Sequence, residues 1–143
     1  MTSIPKKIQD FIPGKMAWVA TADPGGRLNV APKGSIQVVD DHTLLYADIF
    51  PKKTSGNLEK NTRIAVGVVD GAEGYQLKGQ AELLNSGPIY YQVKAGLAEK
   101  APGLPAPKYV GNITVQEIYS LTPGPEAGAQ NRPFYTSAAA AQD

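Results

Sequence analysis

The chain has no cysteine. That absence removes disulfides, thiolate catalysis and cysteine-bound zinc or iron–sulfur clusters together. It has a single histidine, His42, placed after Asp40-Asp41 in a turn-like stretch. A Ser-His-Asp triad and a multi-histidine metal site therefore have no basis, and a histidine-bound haem is not expected. Charge of one sign is also missing: 14 basic and 13 acidic residues leave a net +1, without the basic excess of a nucleic-acid binder. No apolar run is long enough to cross a bilayer. The stretch after Lys6-Lys7, Ile8-Gln9-Asp10-Phe11-Ile12-Pro13, is too polar for the core of a secretion signal. No phosphate loop ending in Gly-Lys-Ser/Thr occurs, and Gly124-Pro125-Glu126-Ala127-Gly128 lacks the strand-to-helix setting of a dinucleotide fingerprint. The expectation is a soluble, cytoplasmic protein with neither a nucleic-acid nor a membrane partner.

What is present is a succession of short apolar segments punctuated by turns. At 143 residues and 42% apolar composition, one domain can bury its own core without metal or disulfide. Met16 to Thr21 is rich in strand formers and ends at Asp23-Pro24-Gly25-Gly26, where proline presets one dihedral and glycine tolerates the next. Leu28 to Ala31 answers it as a hairpin partner, and Pro32-Lys33-Gly34 predicts a bend or bulge unsuited to a central strand. Further strands are expected at Ser35 to Val39, Thr43 to Ala47, Arg63 to Val69, Tyr75 to Leu84 and Val110 to Leu121. Gly79 with Ala81 suggests a close backbone approach in a barrel wall. Helices are expected at Pro5 to Phe11, at about Ser55 to Lys60, and at Pro88 to Lys100, where Ile89, Tyr90, Val93 and Leu97 share a face and Ala101-Pro102-Gly103 forms the stop. Six or seven antiparallel strands with two or three short flanking helices describe a mainly β, closed or nearly closed barrel over residues 1–121. Residues 122–143, rich in Pro, Gly, Ala and Gln, read as an extended or mobile tail.

The chemistry concentrates between Leu44 and Val69. An apolar run breaks at Asp48, crosses Ile49-Phe50-Pro51 and reaches Lys52-Lys53-Thr54 before Asn57-Leu58. Two cations ahead of a helix start, with Thr54 as the expected N-cap, would seat a phosphate. A solvated lysine pair leading into a surface helix fits the same residues. Asp40, Asp41 and Asp70 sit in turns, where aspartate serves local hydrogen bonds; Asp48, at a strand end facing the basic loop, is the acid with a candidate role. Pro32-Lys33-Gly34-Ser35 adds a cation, a small residue and a hydroxyl at a bend. A planar, phosphate-bearing ligand could run from one group to the other.

These segments resemble the FMN-binding split-barrel family, which includes pyridoxamine 5′-phosphate oxidase and small FMN-binding proteins. The resemblance covers roughly Lys15 to Leu84 and rests on Trp18-Val19-Ala20-Thr21, Asn29-Val30-Ala31-Pro32-Lys33-Gly34, Tyr46-Ala47-Asp48, Lys53-Thr54-x-x-Asn57-Leu58-x-x-Asn61 and Ala65-Val66. It implies a split barrel and a homodimer holding one FMN per protomer near the subunit interface. It further implies that Lys53 and Thr54, helped by Lys52, bind the FMN phosphate. The backbone of Pro32, Lys33, Gly34 and Ser35 and of Ala47 and Asp48 would border the ribityl chain and ring, with Asn57 at a family position on the helix. Lys33 is the candidate cation at the ring edge. Trp18 reads as core, and Phe134 and Tyr135 as tail residues that could cover the partner's flavin. The implied activity is an FMN-dependent oxidoreductase acting on an unidentified small acceptor. A non-catalytic FMN carrier or electron-transfer module and a deazaflavin-binding split barrel are the alternatives. Arg132 has no histidine after it, unlike the substrate-binding pattern of the true oxidases, so vitamin B6 is not the expected substrate.

Overall fold

The elements run α1 (Lys6–Phe11), β1 (Ala17–Ala22), β2 (Leu28–Lys33), β3 (Gln37–Asp40), β4 (Thr43–Asp48), α2 (Lys53–Leu58), β5 (Arg63–Asp70), β6 (Glu73–Leu84), α3 (Pro88–Lys100) and β7 (Tyr109–Ser120). They are taken from a computed structural model that describes residues 2–125, 127, 128 and 130. All strand pairs are antiparallel, in the order β2-β1-β5-β6-β7-β4-β3. Consecutive strands β2 and β3 thus lie at opposite edges of one sheet, yet only Gly34, Ser35 and Ile36 join them. Such a link reaches at most roughly 15 Å, so the sheet must curl until its two edges approach. The result is a split barrel, and the split lies where the sequence places Pro32-Lys33-Gly34.

Alternation decides which side chains enter the barrel. Ala17 and Val19 of β1 are buried in register with Val68 and Val66 of β5, and Ile64 further along β5 is buried too. In β7 the inward set shifts from Ile113 and Val115 to Ile118, because the β6–β7 register slips at Lys78/Gly79 opposite Val115 and Glu117. A bulge moves the later residues by one and exchanges their faces. Strand β4 is buried on both faces from Leu44 to Asp48, which explains its unbroken apolar run. One side meets the main core with α1, whose Ile8 is buried; the other meets a smaller cluster of Leu45, Ala47, Val110 and the α3 residues Tyr90 and Val93.

Two glycines permit close approach. A Cβ on Gly79 would collide with the Thr114 carbonyl, and one on Gly111 would enter the Tyr46 ring. The first agrees with the barrel-wall expectation; the second has no short-range signature. Three expectations are corrected. Helix α2 begins two residues early, at Lys53, with Lys52 as N-cap and no side-chain cap bond, so Thr54 is not the cap. Trp18 is 52% exposed, because it lies on the outward parity of β1. Ile89 is exposed while Tyr90 and Val93 are buried, so the packed face of α3 is narrower than its pattern suggests. Among the described residues no helix is long and apolar enough to cross a membrane. Phe134 and Tyr135 lie outside the described residues.

Candidate functional site

The split gathers charge. Lys33 ends β2 at one edge, and Asp48 ends β4 beside the other edge. Their side chains meet with Lys33 Nζ 3.1 Å from Asp48 Oδ1. Asp48 is 1% exposed and Lys33 15%, so this ion pair is largely withdrawn from water and feels little screening. Two residues further, the Ala47 N–H donates to Ser35 Oγ at 3.0 Å. These two bonds join the chain on either side of the opening. The Lys33 ammonium also lies 5.5 Å from the centre of the Tyr46 ring, within cation–π range. Burial, then the nearby Asp48 charge, raises the Tyr46 hydroxyl above its ordinary pKa, keeping it protonated.

Helix α2 closes the other side. It is fastened by Asn57 Nδ2, which donates to Thr21 Oγ1 of β1 at 3.0 Å, and by Asn29 Nδ2 of β2, which donates to Thr54 Oγ1 at 3.1 Å. Thr54 is buried and accepts this bond, leaving its own hydrogen for another oxygen. Lys52 and Lys53 stand exposed at the helix start. Among the described residues neither has an ion-pair partner. At six residues the helix is short, so the two full charges outweigh its dipole in drawing an anion.

A cavity of about 430 Å³ lies between these parts, lined by Asn29, Ala31, Pro32, Lys33, Asp48, Phe50, Lys52, Lys53 and Thr54. Six expected residues, Pro32, Lys33, Asp48, Lys52, Lys53 and Thr54, therefore share one space. Gly34, Ser35 and Ala47 line a neighbouring cavity of about 600 Å³ that extends to Val93, Leu97 and Lys100 of α3. Asn57 lines neither cavity; its side chain anchors the helix. Asn29, Ala31 and Phe50 are not among the site residues expected from sequence, although the first two follow from Lys33 by two-residue alternation along β2. Lys33, the candidate cation, is paired with Asp48. His42 lies apart, with Nδ1 2.8 Å from Asp41 Oδ1 in an exposed turn, where Asp41 is held below the usual carboxylate range by His42 and Ser3.

Residues 4–122 match the family pyridoxamine 5′-phosphate oxidase. An uncharacterized protein of Methanocaldococcus jannaschii is 36% identical over 119 residues, 80% of this chain and 78% of that protein. The crystal structure of HupZ from Group A Streptococcus superimposes with a TM-score of 0.77 at 35% identity, covering 87% of this chain and 99% of that one. At lower identity the fold alone is shared. An FMN-binding protein from Syntrophomonas wolfei has a TM-score of 0.70 and 16% identity, with 83% and 84% covered. HutZ, the haem storage protein of Vibrio cholerae, has 0.61 and 18%, with 82% and 94% covered.

Proposed function

The chain belongs to the pyridoxamine 5′-phosphate oxidase family, and from that premise we propose that it binds FMN in the split and works as an FMN-dependent oxidoreductase on a small acceptor. The observation that carries this reading is the cavity itself, where two lysines without an ion-pair partner among the described residues, a buried threonine hydroxyl and a buried carboxylate converge. Lys52 and Lys53 would take the phosphate by charge-assisted hydrogen bonds, with Thr54 adding a neutral donor. Asn29 and Asn57 hold α2 so that those donors face β2. Bound there, the flavin would supply the redox chemistry, and the chain supplies position and electrostatics. The Lys33–Asp48 pair, formally neutral, exerts less pull on developing negative charge than an unpaired ammonium would.

The outward face of β1 and β2 supports a homodimer. Trp18 lies opposite Pro32, Ala20 opposite Val30 and Ala22 opposite Leu28. Val30 and Leu28 are 61% and 86% exposed, and a contiguous exposed apolar face of this kind suits a protein partner. A second copy placing this face against its own would bring two splits to one interface. Haem is less well served, since the sequence's single histidine is outside the cavity. A deazaflavin carrying a phosphorylated chain would meet the same lysines, and the ligand test includes it.

An absorption spectrum of the purified protein, followed by titration with FMN and with a phosphorylated deazaflavin, tests the reading. Flavin bands that survive gel filtration are the expected result; colourless protein that refuses added FMN contradicts it. Mixing the loaded protein rapidly with a nicotinamide donor then separates an enzyme from an electron carrier, because only the former reduces and turns over. Sedimentation at micromolar concentration reads the oligomeric state.

A further inference from the structure

The second cavity, of about 600 Å³, backs onto the first: Lys33 and Asp48 line one, and their chain neighbours Gly34 and Ala47 line the other. Its walls are of another kind. Val38, Ala47, Val93 and Leu97 make them apolar, while Ser35 and Gln37 add neutral polar groups. Lys100, the last residue of α3, is the only charged residue among the described ones that lines this space. It is exposed and has no ion-pair partner among the described residues. A mostly apolar cavity with a few polar groups at its edge is the form that small-molecule sites take.

Two glycines keep this cavity open. Gly34 and Gly96 both line it, and neither has the positive φ that reserves a position for glycine. The protein does not crowd them either: a Cβ on Gly34 would make an ordinary contact, 3.6 Å from Met16 Cε, and a Cβ on Gly96 would meet nothing within 4 Å. Gly96 stands inside α3, where glycine costs stability relative to alanine. Neither backbone nor packing asks for it; what a side chain there would take is cavity volume.

We propose that this cavity binds an apolar, ring-sized carboxylic acid, whose body fills the space between β3 and α3 and whose carboxylate meets Lys100. The proposal names the class of small molecule that would meet the flavin, and its place beside the ring rests on the flavin reading. The site itself is built from the chain alone.

Calorimetric titration of the full chain, with and without FMN, compares naphthoate with naphthylmethanol, its neutral counterpart, and with gluconate, a polar acid of equal charge. Naphthoate should bind at least about three-fold more tightly than the alcohol, as an exposed ion pair implies, and at least about ten-fold more tightly than gluconate. Lys100→Glu should bring the ratio of acid to alcohol to one or below. Gly96→Leu should weaken naphthoate binding at least about ten-fold while the urea midpoint stays or rises, a combination that a purely structural glycine would not give. If that variant does not fold, Gly96→Ala should weaken binding at least about two-fold with the midpoint again kept or raised. No binding of naphthoate, equal binding of acid and alcohol, gluconate bound as tightly as naphthoate, or wild-type affinity in the Gly96 variants overturns the assignment whether or not flavin binds. Naphthoate binding that depends on Gly96 in a chain that refuses FMN keeps the site and removes the flavin reading. In the loaded protein, naphthoate should shift the FMN absorbance bands; binding that leaves them unmoved overturns the place beside the ring.

Discussion

Two sets of lysines face one cavity and differ in kind. Lys33 is mostly buried, paired with Asp48 and placed against Tyr46; Lys52 and Lys53 are exposed and lack an ion-pair partner among the described residues. The buried pair joins β2, one edge of the sheet, to β4, which lies next to the other edge. It is therefore expected to matter first for architecture. The exposed pair is bound to nothing that its loss would strand, so its effect should appear only when an anion is present. Similar ammonium groups serve different purposes because their partners and solvation differ.

The sharpest way to break this comparison is to remove Lys33. Lys33→Ala leaves a buried carboxylate with no cation, and we expect the ligand-free protein to lose about 3–5 kcal/mol in urea unfolding. A loss under about 0.5 kcal/mol, as for an ordinary surface change, would mean that the pair does not brace the split. Next in size, Lys53→Ala should weaken FMN binding by about 1.5–3 kcal/mol, read by fluorescence titration, and leave the urea midpoint almost unchanged. Equal effects of the two variants on affinity and stability would erase the distinction between them.

Smaller effects sharpen it. Asn57→Ala removes the bond to Thr21 that seats α2, and should cost about 1 kcal/mol of stability. Its effect on FMN affinity should be indirect and smaller than that of Lys53→Ala. Tyr46→Phe deletes a buried hydroxyl that has no hydrogen-bond partner among the described residues, so stability should be unchanged or raised by up to about 1 kcal/mol. It also bears on alkaline pH. Tyr46 and Tyr75 both have raised folded-state values, Tyr75 to about 12 through burial, with Glu73 adding to the rise. A raised value means that the neutral ring favours the fold. That contribution is complete below the unfolded tyrosine value near 10 and is lost as pH climbs through the folded value. Tyrosinate absorbance should therefore show a late-titrating fraction that coincides with alkaline unfolding and shrinks in Tyr46→Phe.

Much of this arrangement is legible in the amino acids because it is local. Pro88 and Ala101-Pro102-Gly103 bracket α3 at the observed ends, and Asp23-Pro24-Gly25-Gly26 turns β1 into β2, with the Gly26 N–H donating to the Asp23 carbonyl at 3.0 Å. The basic loop and the Pro-Lys-Gly bend are likewise visible as composition. What escapes is set at a distance. The Lys33–Asp48 pair needs the sheet to curl, and neither residue carries a mark of the other. Trp18 looks like core because it is large and sits in an apolar run, but strand parity and the missing cover over β1 put it outside. Thr54 has the chemistry of a cap, yet Asn29, 25 residues earlier, takes its oxygen. Gly111 is required by the Tyr46 ring across β4 and β7, a contact no short window contains.

The claim on which the rest depends is that Lys52 and Lys53 form the phosphate seat of a flavin site. The direct measurement is a paired titration of wild type and the Lys52→Ala/Lys53→Ala variant with FMN and with riboflavin, which differ only in the phosphate. Wild type should bind FMN at least about ten-fold more tightly than riboflavin, and the variant should bind the two within about two-fold of each other. Equal affinities in wild type, or a preference for FMN that survives loss of both lysines, would contradict the account.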